Sequence, residues 1–247
     1  MAATQTRFTS KRLPLVGAKA KQPLDLLRAG MPSLDSIHDD SVTFKPTTKG
    51  RTYRILKTTE VDRYENTAAA RGLRKAMLGV RKPSPAAINA AVKQKPSTGE
   101  NYAGVDRKAA KLSISSAPVE KFKDVAALVA SLPSVQSMVA LKIPVAATSN
   151  RVKQESRNVQ VTGFLYAASR EADNDFHLIV GRDPKATPET YMTMEVSGLP
   201  PAGSASFGAL NTARSAFEKF FGKNLPGAGY HFYQPPIRVQ IQGSLFF

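Results

Sequence analysis

The chain has no cysteine, which excludes disulfides and thiolate chemistry and fits a cytoplasmic protein. It has no apolar run of about 18 residues, so no membrane-spanning helix is expected. Residues Met1–Arg7 lack the apolar core of a secretory signal. Histidine is scarce: His38, His177 and His231 show no metal-ligand spacing, and without cysteine a structural zinc site is not expected. No metal ligand set and no cofactor is read. The glycines from Gly222 to Gly229 lack the Gly-Lys-Ser/Thr ending of a phosphate loop. No serine sits in a recognisable nucleophile turn. Acid is also short, with 19 Asp/Glu against 35 Lys/Arg and a net charge of +16 over 247 residues.

That surplus is unevenly placed. Residues 1–155 carry 27 Lys/Arg and 12 Asp/Glu, a balance of +15, whereas residues 156–247 carry 8 and 7, a balance of +1. A basic extension therefore precedes a nearly neutral unit. Such an extension fits nucleic acid or an acidic protein surface, and charge alone does not choose between them. It also fits a plain solvated tail. Within it, Lys11, Arg12, Lys19 and Lys21, with Phe8 nearby, are candidate phosphate contacts.

Proline at 14, 23, 32 and 46 interrupts regular structure in the first 50 residues. One short helix is predicted at Pro23–Ala29. Residues 51–62 read as a strand, with Tyr53 and Ile55 alternating with Arg54. Helices are predicted at Thr67–Leu78 and Ala86–Val92, and residues 93–117 as a linker or mobile loop. Phe122, Val125, Ala126, Val129 and Leu132 have the spacing of one helical face, predicting a helix over Pro118–Leu132. Val135–Val145 is apolar without a decisive period.

The last third reads more clearly. Strands are predicted at Asn158–Ala168, Phe176–Val180 and Tyr191–Val196. An amphipathic helix follows at Phe207–Phe221, then a strand within Ile237–Phe247. Val159, Val161 and Leu165 form one candidate face of the first strand, and Gly163 is read as a bend or bulge. Three strands, a helix and a fourth strand is the order of an OB-like barrel. The predicted class is thus α+β: a basic N-terminal extension over 1–115, a helix and connector over 116–157, and an OB-like β-barrel over 158–247. Only four barrel strands are legible in this unit. Residues 51–62 are the candidate for the missing fifth, and a strand from an oligomeric partner is the alternative.

Several short stretches in this unit carry a resemblance: Asp173-Asn174-Asp175-Phe176-His177-Leu178, Glu195-Val196, Ala213-Arg214 and Pro235-Pro236-Ile237-Arg238-Val239. Together they resemble a group of uncharacterised bacterial OB-fold proteins, and the layout is similar to staphylococcal-nuclease-like barrels. The nuclease resemblance implies Asp173, Asp175 and Glu195 as catalytic acids around a divalent metal. The pattern departs where that family places an arginine after the third strand, since Ser197-Gly198-Leu199-Pro200-Pro201 stands there.

The residues themselves leave two readings of the acidic turn. Carboxylates beside His177 suit water activation on a divalent ion. Asp-Asn-Asp is equally ordinary turn chemistry. The aromatics divide in the same way. Tyr230 and Tyr233, in a Gly/Pro-flanked loop, are candidate stacking platforms for unpaired bases, and core packing is the other role open to them. Three functions follow as expectations: a non-enzymatic binding or structural protein, a metal-dependent nuclease, or a subunit of a larger particle.

Overall fold

The computed structural model describes residues 37–46, 51–58, 100–104, 106–171 and 173–247. The helices predicted at 23–29, 67–78 and 86–92, and the basic group Lys11, Arg12, Lys19 and Lys21, lie outside these residues.

The described chain is α+β, a mostly antiparallel sheet with few helices. Its strands are β1 (Ile37–Phe44), β2 (Tyr53–Thr58), β3 (Val119–Phe122), β4 (Asn158–Arg170), β5 (Phe176–Gly181), β6 (Tyr191–Val196) and β7 (His231–Ser244). The sheet order is β1-β2-β7-β4-β5-β6, with β3 beside β4. The helices are α1 (Lys108–Lys111), α2 (Val125–Ala130), α3 (Val135–Ala140) and α4 (Phe207–Phe221).

β4 is the axis. Its 13 residues pair with β7 along their length, with β5 over the C-terminal half, and in parallel with β3 over Asn158–Val161. Val159, Val161 and Leu165 all enter the main core, on the face the alternation marks. Phe217, Phe220 and Phe221 of α4 close that core, where Phe217 meets Phe176 at 4.7 Å between ring centroids. Burial of these rings is the main source of stability on this side. The opposite face of the sheet holds a smaller cluster of Leu56, Tyr166, Ala167, Ile179, Tyr230 and Phe232.

The expected barrel is corrected. Among the described residues β1 and β6 stand at opposite ends of the strand order and do not pair, so the sheet is open. The strand predicted at 51–62 does join the C-terminal unit. As β2 it pairs Arg54–Lys57 with His231–Gln234 of β7. It extends the sheet at the β7 edge without reaching β6, so closure fails. β1 pairs in turn with β2 and had no legible strand signal before Phe44.

Three local readings also change. Val119–Phe122 is strand rather than helix, because its β-forming residues find an open edge of β4. The helix starts later, at Val125, where the Asp124 carboxylate accepts from the Ala127 N–H. Val125 and Leu128 are the buried residues of α2, while Val129 is exposed. Gly163 is not the bulge. The register slips at Leu165/Ala167 instead. A Cβ at Gly163 would stand 2.8 Å from Val180 Cγ1 and 3.0 Å from Val125 Cγ2, so glycine there permits the close packing of α2 on the sheet.

Candidate functional site

The acidic turn between β4 and β5 is built by its own backbone. Glu171 N–H donates to Asp175 O, Asn174 N–H donates to Glu171 O, and Asp173 Oδ1 accepts from Asp175 N–H. Asn174 sits at φ 75°, a left-handed conformation that asparagine tolerates. Turn chemistry is therefore real here, and it leaves one oxygen of Asp173 and both oxygens of Asp175 for other partners.

Those partners come from the segment 100–117, which is a strap packed on the sheet rather than a loose linker. Asn101 and Tyr102 N–H groups donate to Leu199 O, and Ala103 N–H donates to Asp173 O. The Asn101 side chain accepts from Leu199 N–H, and Asn174 Nδ2 donates to Asn101 O. A Cβ at Gly198 would lie 2.8 Å from Tyr102 Cα, so this glycine lets the strap approach. The strap ends against Asn158, whose Nδ2 donates to Ser115 O and Ala117 O.

α1 delivers Lys111 into the acid cluster. Its Nζ lies 2.5 Å from Asp175 Oδ2, 3.1 Å from Asp173 Oδ2 and 3.2 Å from Glu195 Oε2. Asp175 is fully enclosed, at 0% side-chain exposure, while Glu195 keeps 31%. Burial, followed by the charges of Asp173 and Glu195, outweighs the Lys111 ammonium and pushes the Asp175 carboxyl up to about 7. Burial alone would lower Lys111, but Asp175, Glu195 and Asp173 overcome it and hold the ammonium above its ordinary pKa. Burial raises the Tyr102 phenol beside them. Three carboxylates thus share one cation.

Arg214 of α4 braces the same turn from the core side. Its Nη1 donates to Asn174 O and Ser197 O at 2.9 and 3.1 Å, its Nη2 donates to Asn174 Oδ1, and Nε pairs with Glu218. Arg170 donates to the same Asn174 oxygen. Two guanidinium groups converge on one amide, which fixes the turn between β4, β6 and α4.

A second buried ion pair holds the other end of α1. Arg107, at φ 49°, donates to both Glu155 oxygens at 2.6 Å, to Phe247 O at 2.7 Å and to Asn150 O at 3.1 Å. Glu155 also accepts from Val152 and Phe247 N–H groups. Burial would raise its carboxyl, but the Arg107 hydrogen bonds and these two amides overcome that and hold it below the ordinary value.

Asp173, Asp175 and Glu195 are therefore brought together, as the nuclease resemblance implies, but around an ammonium. Among the described residues no group of three or more His, Cys, Asp or Glu side chains is arranged to hold a metal ion. His177 is paired across the strands with Glu195, and its Nδ1 lies 3.6 Å from Glu171 Oε1. Tyr230 and Tyr233 are buried, at 3% and 2% exposure, which corrects the exposed loop read for them: neither ring offers a free face to a base. Burial raises Tyr233's phenol pKa. The pattern did not single out Lys111, Tyr102, Arg107 or Glu155. Their segments lack periodicity, and only the short helix-former run Lys108-Ala109-Ala110-Lys111 hints at order.

No family model, curated protein or solved structure matches the chain.

Proposed function

We propose that the chain is a non-enzymatic binding protein whose basic N-terminal extension contacts a polyanion, with nucleic acid as the first partner to test. The carrying observation is the charge pattern. No acid occurs between Glu65 and Glu100, and that interval holds seven cations: Arg71, Arg74, Lys75, Arg81, Lys82, Lys93 and Lys95. The sheet unit after it is nearly neutral. A long stretch of one sign suits phosphate neutralisation, which gives affinity without sequence reading. Beside it, the strap 100–117 is bonded to the acidic turn and so ties the base of this stretch to the sheet.

Support against hydrolysis comes from the acid cluster. A divalent ion of the nuclease kind needs the point that Lys111 Nζ occupies. The test is a salt titration of binding to single- and double-stranded DNA and to RNA. Salt-sensitive binding supports the reading. Its absence for every nucleic acid moves the extension to an acidic protein partner or a larger assembly.

A further inference from the structure

Lys111 and Asp175 meet in a geometry that an ordinary ion pair does not require. Nζ lies 2.5 Å from Asp175 Oδ2, yet that oxygen takes part in no aligned hydrogen bond. The aligned donation from Lys111 goes to Asp173 Oδ2 instead. The other oxygen of Asp175, Oδ1, accepts the Gly198 N–H at 2.5 Å. Asp173 and Glu195 oxygens flank the same lysine nitrogen at 3.1 and 3.2 Å. One amine, one enclosed carboxyl, one amide donor on its oxygen and two bases therefore share a single spot.

We propose that Lys111 Nζ and the Asp175 side-chain carboxyl condense into an intramolecular isopeptide bond that fastens the 100–117 strap to the turn after β4. The reaction starts from the form in which one proton has moved from the Lys111 ammonium to the Asp175 carboxylate. Burial penalises both charges, but the flanking carboxylates hold the proton on Lys111, so this neutral pair is the minor form. The amine lone pair adds to Asp175 Cγ, and the carbonyl π electrons move onto Oδ1, where the Gly198 N–H stabilises them. Glu195 takes a proton from the nitrogen and passes it to Oδ2. The Cγ–Oδ2 bond breaks, its electron pair leaves with Oδ2 as water, and the carbonyl re-forms. An ammonium and a carboxylate become an amide and one water. Nothing is oxidised or reduced, and no co-reactant is needed.

Two features set the rate. The fold holds the amine against the carboxyl, which replaces an encounter in solution by a fixed contact. The surrounding carboxylates hold the proton on Lys111, so the amine is a minor form and the bond forms as a slow maturation step. The other close pairs of the strap lack the parts. Arg107 offers a guanidinium to Glu155 rather than a nucleophilic amine, and Lys108 with Glu100 is 34% and 26% exposed, where water competes. A Lys111–Asp175 link closes a long loop, so it constrains the unfolded chain as a disulfide does.

The experiment incubates the folded full chain at neutral pH, then denatures and digests it for tandem mass spectrometry. The expected product is a branched peptide joining Lys111 to Asp175, lighter by one water than its two parts. It accumulates at least about tenfold more slowly in Glu195→Gln, which keeps the side-chain volume but removes the proton relay. Recovery of Lys111 and Asp175 only in separate linear peptides after prolonged incubation of the wild-type chain overturns the proposal. A branched peptide that forms equally fast in Glu195→Gln overturns the assigned role of Glu195.

Discussion

Two cations four residues apart, one just before and one at the end of the same short helix, meet buried acid in opposite ways. Arg107 faces one carboxylate, in a fork whose every lone pair has a donor. Lys111 faces three carboxylates, and the most deeply buried of them is pushed toward its protonated form. The first pair is matched in charge and every carboxylate lone pair in it is satisfied, so it reads as a fastening. The second carries excess acid and an unaligned contact, so it has chemistry left to do. Burial of charge alone does not separate a structural pair from a reactive one. The balance of partners does.

The largest break should come at the matched pair. Glu155→Ala leaves Arg107 buried without its partner and should cost about 3–5 kcal/mol in urea unfolding. Measured against chains whose Lys111 and Asp175 are still unlinked, Lys111→Met should cost less, about 1–3 kcal/mol at pH 8, because Asp173 and Glu195 reach water and Asp175 can take a proton. The cost should shrink at pH 5, where that proton is supplied. A loss at pH 5 equal to that at pH 8 would contradict the shared-cation account.

The pH profile sharpens the contrast. In chains whose Lys111 and Asp175 are unlinked, Asp175 has a folded pKa of about 7, raised above its ordinary value. The stability tied to its proton is present at low pH and is lost as pH rises through 7. His231 runs the other way. Burial, then Lys57, lowers its pKa to about 4, so its contribution is present above the ordinary histidine range and is lost as pH falls toward 4. The two slopes oppose each other across mildly acidic pH. Asp175→Asn should leave stability falling with acid, and His231→Phe should leave it falling with base. Chemical denaturation at stepped pH reads both.

The smallest effect belongs to the same fork placed in water. Arg157 pairs with both oxygens of Glu120 at 2.8 and 2.6 Å, but Glu120 is 44% exposed. Glu120→Ala should cost less than about 1 kcal/mol, and should lose even that in high salt.

The strands and α4 of the last third were legible because period and length agree. Met192, Met194 and Val196 alternate with Tyr191, Thr193 and Glu195, and Phe217, Phe220 and Phe221 share one helical face. Residues 51–62 announced a strand but not its neighbour, since pairing partners leave no local trace. The barrel failed for that reason: strand order suggests closure, whereas closure depends on where β6 lies relative to β1. Within the site, Asp173, Asp175 and Glu195 could be named from their turn and strand positions. Lys111 could not, because it comes from a stretch without periodicity, 62 residues before Asp173. A site built across such a distance is written in contacts rather than in a motif.

The central claim is that the cations between Glu65 and Glu100 bind a polyanion. The most direct measurement compares the salt dependence of nucleic-acid binding by the full chain with that of a variant carrying Gln at Arg71, Arg74, Lys75, Arg81, Lys82, Lys93 and Lys95. The account predicts that the logarithm of affinity falls linearly with the logarithm of salt, and that the slope flattens by about 0.7 per contacting cation removed on single strands. Equal slopes for the two proteins, or no salt-sensitive binding by the wild-type chain, would contradict it.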